Sequence, residues 1–239
     1  MNRRHIALNE RIIFALDVPT AEQAIELVDR LDSQIRFFKV GMQLFFADGW
    51  KVVDYIAARG GKVMLDLKLY DIPATVCRAF AQFAERGVHL ATVHGYAPVV
   101  AAALAAKTEV QVLAVTVLTS FGEEQLRELN YSGTVQDLVL ERAQRVLACG
   151  CHGIVCSAQE AALLRKRISR DFLMVTPGIR PSGSARGEQQ RIALPGQAIA
   201  DGADYLVIGR PIRDAEDPKQ VIAGIQQDIA AALQQENSW

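Results

Sequence analysis

Two hydrophobic periods alternate along this chain. Short runs rich in β-branched and apolar residues lie at 11–18, 36–42, 61–69, 89–95, 110–118, 153–157, 172–179 and 203–209. Their length and composition predict strands. Between them, at 20–32, 43–59, 73–86, 97–106, 135–149, 159–168, 191–201 and 217–235, apolar residues recur at the spacing of amphipathic helices. Asp32, Gly60-Gly61, Gly87 and Gly150 interrupt the pattern where helices should stop. The stretch 120–133 reads as an elaborated loop after the fifth strand. Eight strand–helix repeats within 239 residues predict an α/β chain folded as one (β/α)8 TIM barrel, a single domain over residues 1–239. A doubly wound open sheet is the competing architecture. It ordinarily carries a glycine-rich first turn, and the turn here, Asp17-Val18-Pro19-Thr20, has no glycine.

Polar residues break the apolar pattern at one end of the strands. In the third run, Val63, Leu65, Leu67 and Leu69 fall on one face by the period of two, and Met64, Asp66, Lys68 and Tyr70 fall on the other. Asp66 and Lys68 therefore point the same way, with Cα atoms roughly 6–7 Å apart. A buried carboxylate or ammonium costs several kcal/mol unless paired, so their retention at a strand end points to chemistry. Asp17 ends the first strand, Lys39 lies in the second, and Thr119-Ser120, Arg180 and Gly209-Arg210 follow the fifth, seventh and eighth. In a barrel these ends form the active-site face.

Asp17, Lys39, Asp66 and Lys68 alternate acid with base. As structural salt bridges they would add little stability; as a fixed charge array they would stabilise charge developing in a transition state. A lysine held between carboxylates stays protonated, which suits a general acid. Asp71, before Ile72-Pro73, reads by itself as a helix N-cap. The polar, glycine-containing loop 180–191 reads as a lid over phosphate, since loops after strands seven and eight often bind phosphate in barrels. Arg210 adds a guanidinium suited to that geometry. Tyr96, Trp50 and Phe37-Phe38 read as packing.

Composition narrows the partners. The net charge of −1 supplies no basic excess for nucleic acid or a membrane surface. No apolar run approaches the ~18 residues of a membrane helix, and the first ten residues lack the apolar core of a signal peptide. The expectation is a cytoplasmic protein with its four cysteines reduced. Cys149-x-Cys151 is too tight for a zinc knuckle, and neither His89 nor His94 has a partner at ligand spacing, so no metal site is expected.

The stretch Asp66-Leu67-Lys68-Leu69-Tyr70-Asp71-Ile72-Pro73 resembles the DxKxxDIP signature of the orotidine 5′-phosphate decarboxylase family. Phe14-Ala15-Leu16-Asp17, Lys39-Val40-Gly41, 115–120, 155–158, 176–180 and 207–211 extend the resemblance over essentially the whole chain, which looks like the bacterial form. DxKxxD alone is shared with a wider barrel suprafamily. The resemblance implies cofactor-free decarboxylation of orotidine 5′-phosphate to UMP, the last step of de novo pyrimidine synthesis. It implies that Lys68 protonates C6 as CO₂ departs, and that Asp66 sits beside the substrate carboxylate and holds Lys68. Lys39 and Asp17 would bind the ribose hydroxyls, and Thr119 with Ser120 would lie near the pyrimidine. Arg180, Gln189, Gly209 and Arg210 would hold the phosphate. The resemblance also implies a homodimer, in which Asp71 and Thr75 would reach the neighbouring subunit's site. The alternatives are a metal-dependent sugar-phosphate decarboxylase or aldolase of the same suprafamily, and a catalytically silent nucleotide-binding barrel.

Overall fold

A computed structural model describes residues 6–31, 33–181 and 192–236. Asp32, Gln189 and most of the predicted lid at 180–191 lie outside the described residues. The strands are β1 (Ile12–Ala15), β2 (Phe37–Gly41), β3 (Lys62–Leu69), β4 (Val88–His94), β5 (Gln111–Val115), β6 (Gly153–Val155), β7 (Leu173–Thr176) and β8 (Tyr205–Ile208). Each pairs parallel with the next, and β8 closes on β1. The fold is the predicted (β/α)8 TIM barrel.

Parallel strands covered on both faces read as continuous apolar runs, and β1, β5, β6 and β7 are buried through nearly their whole length. Alternate residues then serve two cores. Ile13, Phe37, Met64, Leu90, Leu113 and Val175 fill the barrel interior, and Ile6 packs with them. Ile12, Phe14, Phe38, Leu65, Ala91 and Ile154 face the surrounding helices. The helices are α1 (Ala21–Leu31), α2 (Met42–Ala58), α3 (Pro73–Ala81), α4 (Ala97–Ala105), α5 (Glu123–Glu128), α6 (Val135–Ala148), α7 (Ala158–Arg167), α8 (Pro195–Ala200), α9 (Arg210–Arg213) and α10 (Pro218–Glu236). Helix α1 buries Ala21, Ala24, Val28 and Leu31, one stripe at helical spacing.

Several boundaries move inward from the sequence pattern. The predicted helix 73–86 stops at Ala81, because the chain turns at Glu85 (φ 60°) and Gly87 (φ 72°). A Cβ on Gly87 would stand 2.4 Å from the Ala57 Cβ, so the turn needs glycine for space as well as for its angle. The elaborated loop at 120–133 contains α5, and α6 starts from a capping box in which Thr134 and Asp137 exchange hydrogen bonds. Asp71 is not the N-cap of α3. Ile72 occupies that position, and the Asp71 Oδ1 accepts from the Ile72 N–H at 2.6 Å, one residue too early to cap the helix.

Candidate active site

The barrel mouth is built from strand ends whose inward residues turn from apolar to charged. Ala15 of β1 is in register with Lys39 of β2, and Gly41 of β2 with Asp66 of β3. The Lys39 Nζ is 2.9 Å from the Asp17 Oδ1 and 3.6 Å from the Asp66 Oδ2. The Lys68 Nζ donates to the other oxygen of Asp66 at 2.8 Å. One continuous chain of alternating charge, Asp17–Lys39–Asp66–Lys68, thus spans β1 to β3. Its inner members are sheltered, while the outermost, Asp17, keeps half its side chain in solvent. Gly41 leaves room for the chain: a Cβ there would stand 3.1 Å from the Lys39 Nζ, close enough that the ammonium would have to shift by a few tenths of an ångström.

Electrostatics at Asp66 are a contest. Burial pushes its carboxyl upward, the largest single effect. The ammonium groups of Lys39 and Lys68, with hydrogen bonds from Lys68 and Thr92, together outweigh it and hold the group below the usual carboxylate range. The loop carrying Asp17 is tied from the far side, where the Arg213 Nη1 donates to the Asp17 carbonyl at 2.7 Å.

The regular alternation predicted for residues 63–70 fails at Lys68. Leu65 pairs with Ala91 but Leu69 pairs with Val93, so four steps along β3 face two along β4. Lys68 takes up the mismatch in the left-handed region, at φ 49°. A side chain there is uncommon and costs strain that surrounding contacts must hold.

The charge chain forms one side of a cavity of about 430 Å³. Arg180 and Arg210, with Gly209, enter from the ends of β7 and β8, the neighbouring sector of the mouth. Arg180 is buried, and its guanidinium is shifted down by burial and by the charge of Arg210. Two cations held together in this way favour an anion between them. The floor is apolar, from Ala15, Met64, Val115, Val155 and Val207, and Thr119 lies on the wall.

Among the expected site residues, Asp17, Lys39, Asp66, Lys68, Thr119, Arg180, Gly209 and Arg210 line this one cavity. Ser120, Asp71 and Thr75 are exposed and stand outside its lining. Met42 and Gln43, at the start of α2, line it and carried no sequence signal. Cys156 also lines it. Thr92, which hydrogen-bonds Asp66, carries no sequence signal either, because a threonine in a strand is an ordinary β-former. Tyr96, read as packing, is 55% exposed and meets the ring of Tyr70 edge-on at 6.2 Å. His94 meets the same Tyr70 ring edge-on at 5.2 Å, and burial, Lys68 and Arg142 hold its pKa down. Among the described residues no group of three or more His, Cys, Asp or Glu side chains gathers as a metal site. No helix among them is long and apolar enough to cross a membrane.

Fold and site together define a class: a (β/α)8 barrel with a paired acid–base chain and an arginine pair around one pocket at the C-terminal strand ends. Comparison with known proteins narrows it. Residues 10–225 match the model of the Orotidine 5′-phosphate decarboxylase / HUMPS family, and the chain belongs to that family. It is 48% identical over 225 residues to the orotidine 5′-phosphate decarboxylase of Afipia carboxidovorans, covering 93% of this chain and 96% of that protein. It is 44% identical over 231 residues to the protein of the same name from Methylococcus capsulatus, covering 96% of each. Among solved structures, the orotidine 5′-phosphate decarboxylase of Lactobacillus acidophilus superposes with a TM-score of 0.80 at 34% identity, over 92% of this chain and 98% of that one.

Proposed function

We propose that this protein decarboxylates orotidine 5′-phosphate to UMP and CO₂, the last step of de novo pyrimidine synthesis, without a cofactor. The observation that carries this reading is the unbroken Asp17–Lys39–Asp66–Lys68 chain beside the Arg180–Arg210 pair, in a chain nearly half identical to a protein of that name. Breaking the C6–carboxylate bond leaves an electron pair on an sp² carbon that the ring cannot easily delocalise. A fixed ammonium meets that need: Lys68 faces the developing carbanion, then gives a proton to C6 and recovers it from solvent. Asp66 anchors Lys68 and lies beside the departing carboxylate. Lys39 and Asp17 take the ribose hydroxyls, and Thr119 and Ser120 approach the pyrimidine.

Arg180, Gly209 and Arg210 hold the phosphate, with Gln189 as a further contact. Binding energy from a phosphate remote from the reacting carbon can be spent on the transition state. Asp71 and Thr75, exposed and outside their own chain's cavity, serve the partner's site in a cytoplasmic homodimer of single-domain barrels. The exposed rings and side chain of Tyr70, Tyr96 and Ile72 beside them suit a buried subunit contact.

The test is to supply EDTA-treated protein with orotidine 5′-phosphate and follow the fall in absorbance with UMP formation. Sustained turnover is expected. Activity that disappears with EDTA and returns with a divalent cation would identify a metal-dependent relative instead. UMP binding with no turnover in any buffer would leave a silent nucleotide-binding barrel.

A further inference from the structure

The strained backbone at Lys68 is held by one side chain that the mechanism above does not use. Thr92 lies on β4 and is 1% exposed. Leu90, Thr92 and His94 alternate with Ala91 and Val93, so Thr92 continues the inward row that Leu90 begins in the barrel interior. Its hydroxyl oxygen accepts the Lys68 backbone N–H at 2.9 Å and donates to the Asp66 Oδ1 at 3.0 Å. The same Asp66 oxygen accepts from the Lys68 Nζ at 2.8 Å. A small ring therefore runs from the Lys68 amide through Thr92 to Asp66 and back to the Lys68 ammonium. It sits where the β3–β4 ladder loses its register and Lys68 enters the left-handed region.

We propose that Thr92 is a positioning residue for this reaction: its hydroxyl fixes both the backbone of Lys68 and the carboxylate of Asp66, and so aims the ammonium at the reacting carbon. Its kinetic consequence rests on the decarboxylase reading. A residue that only filled space could be replaced by any side chain of equal volume. One that worked only by satisfying the Lys68 amide would leave Asp66 unchanged on removal. The hydroxyl does both: it uses its lone pair for the amide and its proton for the carboxylate, and no apolar isostere can do either. The ionised form of Asp66 has three groups on it, Lys39 from β2, Lys68 from its own strand and Thr92 from β4. Asp17 stands beyond Lys39, and His94 feels the charges of both Lys68 and Arg142. Removing the Thr92 proton donor leaves those charges in place and withdraws one hydrogen bond, which moves the Asp66 carboxyl upward.

The experiment compares Thr92→Val, isosteric but without donor or acceptor, with Thr92→Ser, which keeps the hydroxyl. For Thr92→Val, kcat on orotidine 5′-phosphate is expected to fall about tenfold to a hundredfold, the range for losing a hydrogen bond to a charged group. KM should stay within about twofold, because ribose and phosphate contacts survive. Thr92→Ser should recover most of kcat. In carboxyl-labelled protein without ligand, the Asp66 carbon resonance should titrate at higher pH in Thr92→Val and near the wild-type pH in Thr92→Ser. Should Thr92→Val fail to fold, Thr92→Ala carries the same comparison in smaller volume. A kcat within about twofold of wild type, an unmoved Asp66 titration, or failure of Thr92→Ser to restore either would overturn the proposal. Absence of turnover by the wild-type protein would count against the decarboxylase reading alone, since the titration tests Thr92 without substrate.

Discussion

Asp17, Lys39, Asp66 and Lys68 are legible from sequence because each puts a charge at the end of an apolar strand, where charge is expensive unless it is used. Thr92 and the apolar floor of Met64, Val115, Val155 and Val207 are not, because the same residues would appear in the core of any barrel. The left-handed backbone of Lys68 was equally hidden, since it arises from how β3 meets β4. Gly41 shows how narrow the tolerance is. In Gly41→Ala the new methyl would press on the Lys39 ammonium, which must give by a few tenths of an ångström. Activity is expected to drop about tenfold with the fold retained by circular dichroism; unchanged activity would mean that the Lys39 ammonium can shift by that amount without cost. Asp66 also links the array to pH. Its carboxyl lies below its ordinary value of 3.8, so the folded protein binds a proton there less readily than the unfolded chain. The stabilisation is complete above the unfolded value and is lost as pH falls through the lowered folded value. Asp66→Asn, which leaves Lys39 and Lys68 facing each other, should therefore be less stable than wild type at pH 7. That gap, measured by urea unfolding from pH 7 to pH 3, should stay level down to about pH 4 and narrow below it. A gap that does not change with pH would contradict the shift.

The elements themselves are legible where the period is long and the ends carry turn chemistry. Strands β1 to β8 all lie within or close to their predicted spans, because parallel strands buried on both faces leave continuous apolar runs. Ends were less legible. The period that continues past Ala81 is apolar enough for helix, yet the chain must turn at Glu85 to Gly87 to reach β4. The segment between β5 and α6 carries two short local structures that no long period announces, α5 and the Thr134–Asp137 capping box. The box gives that segment a testable weight. Thr134→Ala removes the acceptor for the Asp137 N–H, and it should cost about 1 kcal/mol. In a chain of this length that corresponds to a fall in Tm of about 2–4 °C. A Tm unchanged by the substitution would show that the first turn of α6 is held by packing alone.

For the whole molecule, the exposed side chains on and around the start of α3 matter most. Asp71 and Thr75 do not reach their own chain's cavity, and Tyr70, Ile72 and Tyr96 leave apolar surface in solvent beside them. A two-fold dimer that covers this surface would deliver Asp71 to the partner's pocket. Mixing Asp71→Ala with Lys68→Ala, each inactive alone, should then restore about a quarter of wild-type activity, because half of randomly paired dimers carry one intact site. No recovery after subunit exchange would place Asp71 outside the shared site. The central claim, that the Lys68 ammonium at the end of the charge chain performs the chemistry, has a more direct test. Wild type and Lys68→Ala, both treated with EDTA, are compared for UMP affinity and for turnover of orotidine 5′-phosphate. The expected result is UMP binding that largely survives the substitution while turnover collapses; a Lys68→Ala protein that keeps activity within about tenfold of wild type, roughly 1.4 kcal/mol in the barrier, would contradict it.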